Sequence, residues 1–137
     1  MGVLPPIRQQ ELAKVVSSIC PAVVGYIFGS AATGQTNSES DIDIAILCEA
    51  PLAPVARWEL QERLADALSK NVDLVDLLSA STVIQMQIVS RGELLFDNDP
   101  PRRHQFELYV YSSYAYLNEE RKAILEEIKA RGSVYDG

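Results

Sequence analysis

The stretch DIDIAIL, residues 41–47, alternates residue by residue between isoleucine and something smaller or charged. Successive side chains of an extended strand point to opposite faces, so Ile42, Ile44 and Ile46 share one face while Asp41, Asp43 and Ala45 share the other. A half-buried strand is therefore the expectation here, and the rest of the chain supplies its neighbours. AVVGYIF (22–28) reads as a buried strand, NVDLVDLL (71–78) as a third and ELLFD (93–97) as a short fourth. Between them lie helices. Residues 5–19 carry Leu12, Val15, Val16 and Ile19 at helical spacing behind two prolines, and 54–69 carry Val55, Trp58, Leu60, Leu64 and Leu68 near the same period. Ser81 caps a helix that runs to Arg91 and ends at Gly92. The order helix, strand, strand, helix, strand, helix, strand gives an α+β (α/β) domain, a small sheet flanked by helices.

At 137 residues the chain should form one core without staples. Residues 1–99 hold the sheet and its helices, and 100–137 form a C-terminal helical extension packed on that core or on a partner. The extension opens with Pro100 and Pro101 and should end before Gly132. Its apolar residues occupy more than one face: Phe106, Tyr109 and Val110 make one patch, Tyr111, Tyr114 and Tyr116 spread round the cylinder, and Ile124 and Ile128 continue below. A helix apolar nearly all round has two things to bury against, its own sheet and a second chain, the alternative being ordinary core plus scattered surface tyrosines. This aromatic helix is the candidate partner surface. Trp58 is expected in the core, and the Arg102, Arg103, His104 run as a solvated helix start.

A net charge of −7 argues against DNA or RNA as a direct substrate or main partner, because nonspecific nucleic-acid affinity comes from cationic residues. Cys20 and Cys48, each in apolar company, suit buried thiols in a reducing compartment. The start MGVLPPIRQQEL lacks a basic region followed by an apolar run, and no stretch is apolar enough to span a membrane. A cytoplasmic protein is expected.

Same-face residues of a strand lie about 6.6 Å apart, so Asp41 and Asp43 aim two carboxylates at one small volume. Two such charges about 4 Å apart, at an effective dielectric near 20, cost on the order of 4 kcal/mol. A counter-cation is needed, and oxygen-only ligands suit Mg²⁺, which completes its shell with water and phosphate oxygens. Gly29 and Ser30 end the preceding strand where a helical turn could begin. Free backbone N–H groups and a serine hydroxyl there make an anion site, and Gly29 has no side chain to hold a phosphate off. In NVDLVDLL, Asp73 and Asp76 fall on opposite faces, so only one can join the Asp41 and Asp43 side.

The pattern Gly29, Ser30, ten residues, Asp41, any residue, Asp43 resembles the signature of the DNA polymerase β-like nucleotidyltransferase superfamily. Within it, the short length, the VDLVDL strand and the RGELLFDND segment resemble the minimal nucleotidyltransferase group, MNT. The resemblance implies a small mixed sheet flanked by helices and a third carboxylate from the later strand, carried to Asp73 with Asp76 as the fallback. It implies nucleotidyl transfer from ATP with two Mg²⁺ ions, held by Asp41, Asp43 and Asp73, with Gly29 and Ser30 toward the phosphates. MNT proteins pair with HEPN-domain RNase toxins, and the implied role is an antitoxin that forms a hetero-oligomer with its toxin and transfers AMP to a toxin tyrosine. The chain has no arginine followed at four to six residues by histidine, so it is not itself such an RNase. Two other roles stay open: steric, non-catalytic masking of the toxin, and transfer to a small hydroxylated molecule such as an aminoglycoside.

Overall fold

A computed structural model describes residues 6–29 and 42–135. The chain runs α1 (Pro6–Ile19), β1 (Ala22–Phe28), β2 (Ile42–Cys48), α2 (Pro54–Leu68), β3 (Val72–Asp76), α3 (Thr82–Arg91), β4 (Glu93–Asp97) and α4 (Pro100–Tyr135). The four strands form one mixed sheet in the order β3-β2-β1-β4, with β2 and β3 parallel and the other two pairings antiparallel.

The alternation in β2 decides the layering. Ile42, Ile44 and Ile46 join Val72 and Leu74 of β3 in a cluster with Leu12 and Val16 of α1 and Leu60 and Leu64 of α2. Ala45 and Leu47 look the other way, into a second cluster with Val24, Tyr26, Ile88 of α3, and Phe106 and Val110 of α4. Both cysteines are buried and free. Among the described residues no helix is long and apolar enough to cross a membrane.

Local chemistry ends the elements. Ser81 accepts a hydrogen bond from the Ile84 N–H at 3.2 Å, the cap its sequence position suggests. The third strand stops at Asp76 rather than running to residue 78, because the Asp76 carboxylate turns the chain: it accepts from the Leu78 N–H at 3.3 Å and the Ser79 hydroxyl at 2.7 Å. β3 is an edge strand, and its outward backbone is not left open. Gln61 accepts from the Leu74 N–H at 3.0 Å and Arg57 donates to the Leu74 carbonyl at 3.0 Å, so α2 side chains occupy the groups that would template another strand.

Expectations about the helices are corrected as well. Trp58 is 54% exposed, since at 100° per residue it lies about 160° round α2 from Leu60, on the side away from the sheet. Tyr109 is exposed and does not share the buried patch of Phe106 and Val110. Arg103 is no solvated helix start: its guanidinium donates to Asp97 at 2.6 Å and to Glu107 at 3.1 Å, and Glu107 also accepts from the Tyr26 hydroxyl at 2.7 Å. This network latches the first turns of α4 to β4 and β1. The helix also continues through Gly132, where a glycine costs only about 1 kcal/mol relative to alanine.

Candidate active site

The site assembles where the C-terminal end of β1 meets the N-terminal ends of β2 and β3. Phe28 is the β1 partner of Asp43, and Asp43 is in turn the β2 partner of Asp73. Parallel strands run about 4.8 Å apart and in-register residues face the same way, so the two carboxylates stand side by side. Asp43 is half-buried and Asp73 exposed. Their face of the sheet is the one that carries Ala45 and Leu47 further along, under α3 and α4.

Gly29 closes the third side. Its φ is +69°, a left-handed conformation that disfavours any side chain, and a Cβ built there would collide with the Asp43 carboxylate. The glycine therefore lets the backbone after β1 come directly against a carboxylate, a closer approach than sequence reasoning asked of it. Ser30 and Asp41, the other two expected site residues, lie outside the described residues, as does the expected helical turn after Gly29.

Asp76, the fallback third carboxylate, is placed elsewhere. It is buried at 3% exposure, and its oxygens take the Leu52 N–H at 2.8 Å, the Ser79 hydroxyl and the Leu78 N–H. Those donors commit it to the turn after β3 and to the segment before α2. Asp73 has no such hydrogen bonds among the described residues.

Among the described residues no three His, Cys, Asp or Glu side chains converge as a ready metal cage. Asp43 and Asp73 are two carboxylates, and hard oxygen donors on adjacent strands are the set that Mg²⁺ accepts, with remaining positions left for water and phosphate. The donor chemistry fits that ion and would not suit a thiolate-seeking metal.

Residues 10–101 match the family described as polymerase beta, nucleotidyltransferase. The chain belongs to the polymerase beta nucleotidyltransferase family. This nucleotidyltransferase is 44% identical over 125 residues to the protein adenylyltransferase MntA of Shewanella oneidensis, covering 90% of the chain and 89% of that protein. Among solved structures it resembles a chain of a toxin-antitoxin complex with AMP-PNP, at 39% identity and a TM-score of 0.76, covering 88% of this chain and 97% of that one. It also resembles a chain from the tri-AMPylated Shewanella oneidensis HEPN toxin in complex with MNT antitoxin, at 37% identity and a TM-score of 0.70, covering 88% and 98% of the two chains. The mixed sheet and long terminal helix of this nucleotidyltransferase are thus those of a fold solved in complexes.

Proposed function

We propose that the chain is an antitoxin that transfers AMP from ATP to a tyrosine hydroxyl of a HEPN-domain RNase toxin and thereby neutralises it in the cytoplasm. The observation that carries this reading is the in-register pair Asp43 and Asp73 beside Gly29, in a chain 44% identical to a protein adenylyltransferase. The AMP-PNP complex and the tri-AMPylated toxin among its relatives support ATP as the donor and the toxin as the acceptor.

In the proposed reaction the tyrosine oxygen forms a bond to the α-phosphorus of ATP as the bond from that phosphorus to the α,β-bridging oxygen breaks. Pyrophosphate leaves with the electron pair. Asp41, Asp43 and Asp73 would hold two Mg²⁺ ions, which when bound neutralise the triphosphate and stabilise the attacking and leaving oxygens together. Asp73, on the open side of the pair, would orient the acceptor hydroxyl and take its proton. Asp43, beside the β1 terminus, would help hold those ions. Gly29 keeps side-chain bulk out of the phosphate path, and the Ser30 hydroxyl would serve as a donor to the departing pyrophosphate. Most of the rate enhancement then comes from position and electrostatics.

The deciding experiment is intact mass of the toxin after incubation with the chain, ATP and Mg²⁺. One or more added AMP units are expected, lost when Asp43 is replaced by Ala. A stable complex in which the toxin is silenced yet gains no mass would refute transfer and leave steric masking.

A further inference from the structure

Part-way along its length α4 leaves the rest of the fold behind. Phe106 and Val110 are buried against the sheet, and Leu117, one heptad after Val110, is half-buried. At 100° per residue Ile124 and Ile128 fall within the same arc of about 40° as these three. Yet every side chain over residues 118–131 is exposed, Ile124 at 55% and Ile128 at 56%. The core-facing stripe therefore continues past the point where the described residues of this chain have anything to put beneath it.

The direction of the overhang follows from the latch. Arg103 bonds Asp97, which pairs with Val24 near the start of β1, and Glu107 one turn later bonds Tyr26, further along that strand. The helix thus advances with β1, toward Phe28 and Gly29. From Glu107 to Leu117 it rises about 15 Å, whereas Tyr26 to Phe28 spans about 7 Å of strand. Beyond Leu117 the helix has passed the end of the sheet at which Asp43 and Asp73 stand. Its stripe, bare among the described residues, faces that end of the sheet.

The flanks of the stripe differ in charge. Arg121, Lys122 and Lys129 surround Leu125 in a shallow hollow completed by Asn118 and Glu126. Round the other side run Glu119, Glu120 and Glu127, the last paired with Arg131 at 2.8 Å. In a chain of net charge −7, a basic flank beside exposed leucine and isoleucine is a local reversal of the overall charge.

We infer that residues 118–131 are the docking surface for the acceptor protein, an apolar seam resting on Ile124 and Ile128 and acidic side chains meeting Arg121, Lys122 and Lys129. The inference rests on the proposed function, which makes the acceptor a protein, the HEPN toxin. Two of these short stripes from two copies would bury only a few hundred Å², below the roughly 1,200 Å² of a stable interface. A partner seated in the corner between helix and sheet end meets the stripe and the rim of the site at once. That continuity between docking and chemistry favours the acceptor over a second copy.

The test compares two variants on exposed positions, Ile124→Asp with Ile128→Asp, and Arg121→Glu with Lys122→Glu and Lys129→Glu, against the HEPN toxin by calorimetry and by AMP-transfer kinetics. Loss of two apolar anchors should weaken toxin binding about a hundredfold. The charge reversal should weaken it by about tenfold and flatten its salt dependence. KM for toxin should rise with kcat unchanged, and affinity for ATP should not move. Unchanged toxin affinity in both variants would overturn the docking surface, as would loss only of self-association by the chain alone. An Asp43→Ala chain that binds toxin at wild-type affinity but transfers nothing keeps the two proposals separable, and a wild-type chain that neither binds nor modifies toxin would remove both.

Discussion

The two ends of β3 use the same residue type in opposite ways. Asp76, at the far end, is buried and surrounded by donors: two backbone N–H groups and a hydroxyl end the strand and fasten the segment before α2. Asp73, three residues earlier, is exposed beside Asp43 with no such donors among the described residues. Burying a carboxylate is tolerable only when its oxygens are satisfied, so Asp76 is spent on structure. Two carboxylates side by side repel each other and so favour a cation, and that is the state a phosphate-handling site can use. Exposure and hydrogen bonding, rather than residue type, separate the two.

Substitutions at the two ends should therefore fail differently. The largest effect is expected at Asp43→Ala, a loss of about a thousandfold or more in AMP transfer with the melting temperature kept, read by intact mass and calorimetry. Asp73→Asn should cost about a hundredfold in kcat, again with a stable fold. Asp76→Asn inverts the pattern. An amide in place of the carboxylate sets a donor against the Leu52 N–H and the Ser79 hydroxyl, or in its other orientation against the Leu78 N–H, and urea unfolding should report a loss of about 2 kcal/mol while folded molecules still transfer AMP. An Asp76→Asn chain that folds as well as the parent but is inactive would reverse the assignment of the two residues. Gly29→Ala touches both ledgers, with about 1 kcal/mol of backbone strain at its positive φ and a displaced Asp43 carboxylate that lowers the rate further.

Much of this frame was legible beforehand because it is periodic. The two-residue alternation of DIDIAIL put Asp43 on the face opposite three isoleucines, and the four strands and four described helices lie where composition and breakers put them. Parity also told that Asp73 and Asp76 diverge, but not which of them joins Asp43. That needed the β2–β3 register, a long-range pairing with no local signature. The Tyr26, Glu107, Arg103 and Asp97 network was missed for the same reason, since Tyr26 and Glu107 are 81 residues apart. Trp58 was misplaced because hydrophobicity outweighed its angle on the helix. The Asp97-to-Arg103 spacing across a proline pair was the one clue to the latch, a carboxylate just before a helix whose first turn carries an arginine.

Stability at high pH tests the interior on either side of the sheet rather than the site. Burial pushes both the Cys20 and Cys48 thiols up from 9.0 to about 11, and burial together with the hydrogen bond to Glu107 raises the Tyr26 phenol above its ordinary 10.0. Each group is harder to ionise folded than unfolded, so its contribution is complete below the unfolded value. Above pH 9 the unfolded thiols lose protons that the folded ones keep, and stability falls as pH rises toward 11. Tyr26 adds to the fall from pH 10 upward. Urea unfolding between pH 8 and 11 should show a plateau, then a decline starting near 9; in a Cys20→Ala, Cys48→Ala chain the decline should start about one unit later, where only the phenol remains. A decline that begins at the same pH in both proteins would mean that neither thiol is held protonated by the core, and that the cluster around Ile44 and Leu64 is wetter than its packing indicates.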